Sequence, residues 1–171
     1  ISDAAYYIEC VYFWGDVFSE SYGWTPQANR KDPLQESGWH KWEWVAGPEL
    51  VWMMLEVYDH TQDRNLLDKR IIPTANAVIN FFDHFYKTDA NGKMVMHPSQ
   101  ALETWWDCTN PMPEVAGLTA ICQKLLALPS KSVPSESRKL WARFLKKIPP
   151  LPIKVMDGMT VFTPADKFAQ K

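Results

Sequence analysis

The 171-residue sequence predicts an all-α fold, in which helical hairpins are joined by long tryptophan-rich loops and accompanied by at most a small β-hairpin. Apolar residues recur at helical spacing in four stretches of the chain, whereas alternating strand patterns are few. Because 46% of the residues are hydrophobic, the chain can also bury the core of one ordinary domain.

The first two predicted helices carry clear apolar stripes. The first helix begins just after Gly47-Pro48, and its stripe contains Leu50, Met53, Met54, Val57 and Tyr58. The stripe of the second helix contains Ile71, Ala75, Val78, Phe82 and Phe85. This second helix ends before residues 89–92, whose Asp, Asn and Gly predict a turn.

Two further helices are predicted downstream. Pro113 is a favoured residue for a first helical turn, and it opens a stripe of Val115, Leu118, Cys122 and Leu125. Ser135 is a candidate N-cap, and it precedes a stripe of Leu140, Trp141, Phe144, Leu145 and Ile148. Near the N-terminus, residues 7–18 slightly favour a helix over a strand.

The predicted connections differ in length. Residues 61–64 form a short turn, whereas residues 24–44 and 91–113 are long and rich in Trp, Pro and Gly. Long ordered loops in a compact domain are usually functional. Weak strand signals occur at 93–97 and at 155–162, where Asp157-Gly158 suggests a small hairpin.

Charge and motif content argue against several function classes. The net charge of −2 predicts neither nucleic acid nor an anionic membrane as a partner, and no apolar run reaches the ~20 residues of a membrane span. His40, His60, His84 and His97 lie far apart, and Cys10, Cys108 and Cys122 lack zinc spacing. Nucleotide-binding and serine-hydrolase motifs are absent, so no metal or cofactor is expected.

The carboxylates of residues 97–107 are the main candidates for chemistry. Glu103 and Asp107 flank Trp105 and Trp106 in this stretch, which begins at His97-Pro98. A carboxyl group against indole rings loses hydration, which raises its pKa. A glycosidase general acid needs such a raised pKa to hold a proton near neutral pH. Aromatic rings also suit the C–H faces of sugars, and the chain has nine tryptophans.

The order of these features resembles the catalytic toroid of inverting 1,2-α-L-fucosidases and related six-hairpin glycosidases. The resemblance covers roughly residues 5–128 and rests on Gly38-Trp39, the first predicted helix, the Thr61-Gln62-Asp63 turn, Ile72-Pro73, Phe81-Phe82, Asp89 with Gly92, and Pro98-Ser99 leading to Glu103. Tyr12-Phe13-Trp14-Gly15 and residues 101–107 are closer to an uncharacterised bacterial branch of that superfamily. Fucosidases usually hold Ser-Pro before the glutamate and Asn after it, whereas this chain has Ala101-Leu102 and Thr104.

The resemblance implies part of an (α/α)6 toroid in residues 1–128, followed in the same domain by a Pro-rich connector with one helix in residues 129–171. It assigns Glu103 as the general acid and a carbohydrate as the substrate, with α-L-fucoside-like or α-L-galactoside-like linkages. The expected sugar-binding residues are Trp14, Trp39, Trp42, Trp105, Trp106 and Asp107. Asp107, Glu9 and Glu114 are secondary polar candidates, for which capping or a buried pair is an equal interpretation. A periplasmic or secreted location is favoured.

A ring of six helical hairpins needs about twelve helices, and this sequence offers four or five. No aspartate matches the family's downstream base, so we expect a fragment or a truncated protein that is inactive in isolation. The rest of the enzyme or a second chain is expected to cover exposed apolar surface. Two alternatives stay open. One is a carbohydrate-binding or helical interaction module without catalysis, and the other is a polysaccharide lyase using Tyr6, Tyr7 or His97 as base.

Overall fold

The computed structural model of the protein describes residues 3–7 and 42–170. Trp14, Trp39, Glu9 and the predicted helix at 7–18 therefore lie wholly or largely outside the described residues. The helices are α1 (Ala46–Thr61), α2 (Arg64–Leu66), α3 (Ile72–Phe85), α4 (Met112–Ala127) and α5 (Ser135–Lys147). The strands are β1 (Lys87–Thr88), β2 (Met94–Val95), β3 (Trp105–Pro111), β4 (Ile153–Met156), β5 (Met159–Phe162) and β6 (Ala165–Gln170).

Helices α1 and α3 form the first hairpin. Its connection contains the short helix α2 and a π-helical turn at Leu67–Ile71. The carboxylate of Asp63 caps α2 by accepting hydrogen bonds from the backbone N–H groups of Asn65 and Leu66. The predicted turn at 61–64 is therefore confirmed: Gln62, with a positive φ angle of 54°, ends α1, and Asp63 caps the start of α2.

Helices α4 and α5 form the second hairpin, which packs beside the first. Arg138 near the start of α5 donates to the carbonyl oxygens of Leu126 and Leu128 at the end of α4. On the other hairpin, Asn76 of α3 donates to the Ser137 hydroxyl and accepts from the Trp141 indole, both on α5. These buried and half-buried polar contacts fix how the two hairpins align.

The neighbouring helices α1 and α4 run parallel. Near their N-termini they approach so closely that a Cβ atom at Gly117 would lie 2.9 Å from the Cβ of Pro48. Near their C-termini, Lys124 of α4 pairs with Asp59 of α1. The N-terminal ends of both helices therefore meet at one end of the helical layer.

One apolar core joins the two hairpins. The stripes predicted for α4 and α5 are buried or half-buried, as is that of α3 except for the exposed Phe85. The prediction for α1 is wrong in orientation, because the buried residues are Gly47, Pro48, Val51 and Leu55, whereas Met53 and Val57 are exposed. Helix α1 is apolar around most of its circumference, so spacing alone could not select the buried face.

The all-α prediction is wrong, because the protein is mixed α/β with three two-stranded antiparallel sheets. Strand β1 pairs with β2, and β4 pairs with β5. Strand β3 pairs with β6, which follows more than 50 residues later, so this sheet joins the candidate loop region to the C-terminal segment. The stretch expected to be a tryptophan-rich loop thus becomes a strand, because a distant partner supplies its hydrogen bonds.

The hairpin signal at 155–162 is confirmed. Asp157 and Gly158 both have positive φ angles, 51° and 76°, as a two-residue turn with right-handed strand twist requires. This hairpin exposes large apolar side chains, as does the outer face of α1. Among the described residues, no helix combines the length and apolarity needed to cross a bilayer.

Candidate functional site

The candidate site centres on the loop of residues 97–104, which precedes β3. A hydrogen bond holds the beginning of the loop: the Tyr86 hydroxyl donates to the carbonyl oxygen of Pro98 at 3.0 Å. The backbone N–H of Cys108 donates to the carbonyl oxygen of Ser99 at 2.8 Å. The Gln100 side chain is buried and donates to the carbonyl oxygen of Leu102. The loop is therefore anchored along its length.

Glu103 lies at the tip of this loop. Two backbone hydrogen bonds close the tip, from Trp105 N–H to the Leu102 carbonyl and from Ala101 N–H to the Trp105 carbonyl, each 3.1 Å long. The indole N–H of Trp106 also donates to the carbonyl oxygen of Glu103. The side chain of Glu103 is exposed, whereas the Trp106 ring, which contacts the backbone of Glu103, is half-buried.

The exposure of Glu103 differs from the sequence expectation of a concave, desolvated position. A cavity of about 230 Å³ does lie beside the loop, but Glu103 does not line it. The cavity is mostly apolar, with a lining of Ala101, Leu102, Trp105, Met112, Pro113, Phe162, Thr163 and Pro164. Glu103 is thus accessible to a ligand from solvent, next to this cavity.

The other predicted binding residues fall into two groups. Trp105, Trp106 and Asp107 continue from the loop into β3, where Asp107 is exposed and has a positive φ angle of 49°. Trp105 packs edge-on against Phe168 of β6, with ring centroids 5.0 Å apart. Trp42 is half-buried in an aromatic cluster with Trp44, Phe81 and Phe85, so only part of its ring is accessible to solvent.

A buried polar cluster lies beneath the loop, where the N-terminal ends of α1 and α4 meet. We call it the acidic corner, and its residues are Glu43, Trp44, Tyr86, Ser99 and Glu114. Glu114 lies in the first turn of α4, and its Oε1 accepts the backbone N–H of Trp44 at 3.1 Å. The glutamate side chains are both fully buried.

The electrostatics of the acidic corner differ from those of the surface. Burial raises the pKa of Glu114 well above its ordinary value, and the nearby negative charges of Glu43 and Glu49 raise it further. No lysine, arginine or histidine of the described residues forms a salt bridge with Glu114. The raised carboxyl pKa expected for the loop therefore occurs at the buried Glu114, which lies beneath the loop.

The Tyr86 phenol connects the acidic corner to the loop. Burial raises its pKa, whereas the side chains of Ser99 and Trp44 lie close enough to lower it. Neither makes a hydrogen bond of normal geometry, since the Ser99 Oγ, the Trp44 Nε1 and the Glu114 Oε2 find no partner in the described part of the chain. Burial likewise raises the pKa of the Cys108 thiol to about 11.

The sequence pattern by itself points only weakly to the acidic corner. Glu114 was a secondary candidate with a buried pair as its alternative, and Glu43 was missed. A usable signal existed, since Glu43 stands between two tryptophans and Glu114 stands between Pro113 and Val115. That signal could not show that the two residues approach each other across a separation of about 70 positions.

The residues named for the alternative lyase chemistry do not come together as one site. Tyr6 packs against Trp44 and Phe81, whereas the His97 ring lies on the loop, within hydrogen-bonding distance of the Cys108 carbonyl. Cys108 and Cys122 are free thiols, and Cys10 lies outside the described residues. In residues 3–7 and 42–170, no three His, Cys, Asp or Glu side chains are grouped to hold a metal ion.

No protein-family model, curated protein or solved structure matches the chain.

Proposed function

We propose that the chain contributes the proton-donor part of a glycoside-hydrolysing site, in which Glu103 protonates the leaving oxygen. The observation that supports this function is an exposed carboxyl side chain at the tip of an ordered loop. The Trp106 indole N–H donates to the backbone carbonyl of Glu103, and further backbone and side-chain hydrogen bonds hold the loop. The resemblance to inverting 1,2-α-L-fucosidases suggests α-L-fucoside-like or α-L-galactoside-like substrates.

This position suits the chemistry of a general acid. The group must reach the glycosidic oxygen, so it must be open to ligand before the sugar binds. A sugar ring stacked on Trp106 would then exclude water from Glu103 and favour proton transfer to the glycosidic oxygen. The anchored loop limits the movement that would misplace the proton.

Inverting hydrolysis also needs a second carboxylate as base, at ~6.5–9.5 Å from the acid. Glu114 does not suit that role, because a buried carboxyl group with a raised pKa holds its proton instead of accepting one. The proposed function therefore leaves the base to a residue that we do not assign.

Substitution of Glu103 by Gln in the full-length protein tests the proposal. The variant should still fold and bind sugar, but turnover of natural α-L-fucosides or α-L-galactosides should fall by ~10²–10⁴-fold. Aryl glycosides with activated leaving groups need less protonation, so they should lose much less. Steady-state kinetics on both substrate types provide the measurement.

Glu136→Gln serves as a control, because Glu136 is an exposed carboxylate on α5. It should leave both rates unchanged. Equal losses on natural and aryl substrates in the Glu103 variant would contradict the acid role. Sugar binding by the wild-type protein without any turnover would instead favour a non-catalytic carbohydrate-binding module.

A further inference from the structure

A continuous set of contacts runs from helix α4 to the loop that bears Glu103. Glu114 accepts the backbone N–H of Trp44. The Trp44 ring packs edge-on against Phe85, which packs edge-on against the Tyr86 ring. The Tyr86 hydroxyl in turn donates to Pro98, the second residue of the loop. The contacts therefore link the starts of α1 and α4 to the start of the loop.

The buried carboxyl group at the start of these contacts is unfavourable for the stability of the folded protein. A buried carboxyl group without a cationic partner, such as Glu114, costs free energy, and the negative charge of Glu43 nearby adds to that cost. The described structure offers Glu114 one backbone donor and leaves its Oε2 without a hydrogen bond. Apolar residues of similar volume would pack at such a position without this cost, so the acid fits a role beyond packing.

We propose that Glu114 is a positioning residue, whose carboxyl group holds Trp44 and, through Tyr86, the Pro98–Ser99 start of the loop that carries Glu103. The inference rests on the proposed function for the role of Glu103, but the mechanical link is a separate claim. Glu114 is fully buried, whereas Glu103 is exposed at the tip of the loop, so we infer that Glu114 acts through the intervening residues.

Three variants separate the parts of this link. Glu114→Gln keeps an oxygen that accepts the Trp44 N–H, whereas Glu114→Ala removes the acceptor. Tyr86→Phe removes only the hydroxyl that donates to Pro98 and keeps the ring. Glu49→Gln is the matched control, because it removes an exposed carboxylate near the same end of α1.

Amide hydrogen exchange of the full-length protein provides the first readout. We expect residues 97–108 to exchange roughly 2- to 10-fold faster in Glu114→Ala and in Tyr86→Phe, as the loss of one hydrogen bond implies. Exchange in α3 and α5 should not change, and Glu114→Gln and Glu49→Gln should resemble the wild type. The Glu114→Ala, Tyr86→Phe double variant should show less than the sum of the two single effects, since both act on one network.

Kinetics with natural glycosides provide the second readout. If Glu103 is the acid, Glu114→Ala should lower kcat while KM changes little, and Glu114→Gln should restore kcat. Normal loop exchange in a folded Glu114→Ala or Tyr86→Phe variant would overturn the inference, as would failure of Gln to restore it. The expected exchange pattern in a protein without glycoside turnover would sustain the positioning role and remove the proposed function.

Discussion

The parallel helices α1 and α4 hold charged side chains at both ends, but these side chains are exposed at one end and buried at the other. At the C-terminal end, Lys124 lies between Glu56 and Asp59, and all three side chains are partly exposed. At the N-terminal end, Glu43 and Glu114 are fully buried together. One pair of helices therefore carries a solvated ion network at one end and desolvated acids at the other.

The comparison separates an ordinary surface feature from one that folding alone does not explain. Exposed ion pairs contribute only about 0–1 kcal/mol, and their formation needs no special explanation. Buried acids destabilise the folded state, and such groups concentrate at sites of binding and catalysis. At the N-terminal end, the buried carboxyl groups are thus expected to lower the free energy of unfolding. This end lies beneath the loop of Glu103.

The largest expected effect contrasts a tryptophan from each region of the pair. Trp44 is 1% exposed at the acidic corner, whereas Trp52 is 40% exposed under the ammonium group of Lys124. Trp44→Ala should lower the free energy of unfolding by about 3–5 kcal/mol because it leaves a cavity. Trp52→Ala should cost about 1 kcal/mol, the worth of an exposed cation–π contact. Urea denaturation of both variants measures the contrast, and equal losses would refute it.

The next effect concerns pH at the acidic corner. Because the folded pKa of Glu114 is raised, its stability contribution is fully present below its unfolded pKa of about 4.5 and is lost as pH rises towards the folded pKa. Glu114→Gln cannot ionise, so its stability relative to wild type should increase from pH 4 to pH 8.

Denaturation midpoints across this range provide the measurement for Glu114→Gln. The ionisable groups that act with Glu114 are Glu43, Glu49, Tyr86 and Cys108. The exposed Glu136 on α5 does not act on Glu114 and gives the control variant, Glu136→Gln, which should show no comparable trend. A stability difference between Glu114→Gln and wild type that stays constant with pH would show that Glu114 is ionised in the folded protein.

The smallest expected effect lies at the C-terminal end. Lys124→Met keeps most of the side-chain stem and removes the charge that Glu56 and Asp59 share. The loss should be below about 1 kcal/mol, and it should shrink in 1 M salt because exposed pairs are screened. Thermal unfolding at low and high salt tests this, and a large salt-independent loss would mean that the two ends are not so different.

Residue spacing predicted much of the helical layer, because the apolar period of a helix is visible in residues close together in the chain. The stripes of α4 and α5 correspond to the buried residues, and Asp63 marks the turn between α1 and α3. The candidate loop was also located from local features, the prolines, the paired tryptophans and Glu103. Its glycosidase role remains a prediction.

The sequence by itself determined where helices form and where accessible carboxylates and indoles concentrate, since both depend on residues close together in the chain. Only the tertiary structure decided that β3 pairs with β6, that α1 buries the face of Val51 and Leu55, and that Glu114 meets Trp44. Each of these outcomes depends on partners tens of residues away, and desolvation of a carboxyl group depends on everything packed around it. A local sequence pattern specifies neither the distant partners nor the burial of a carboxyl group.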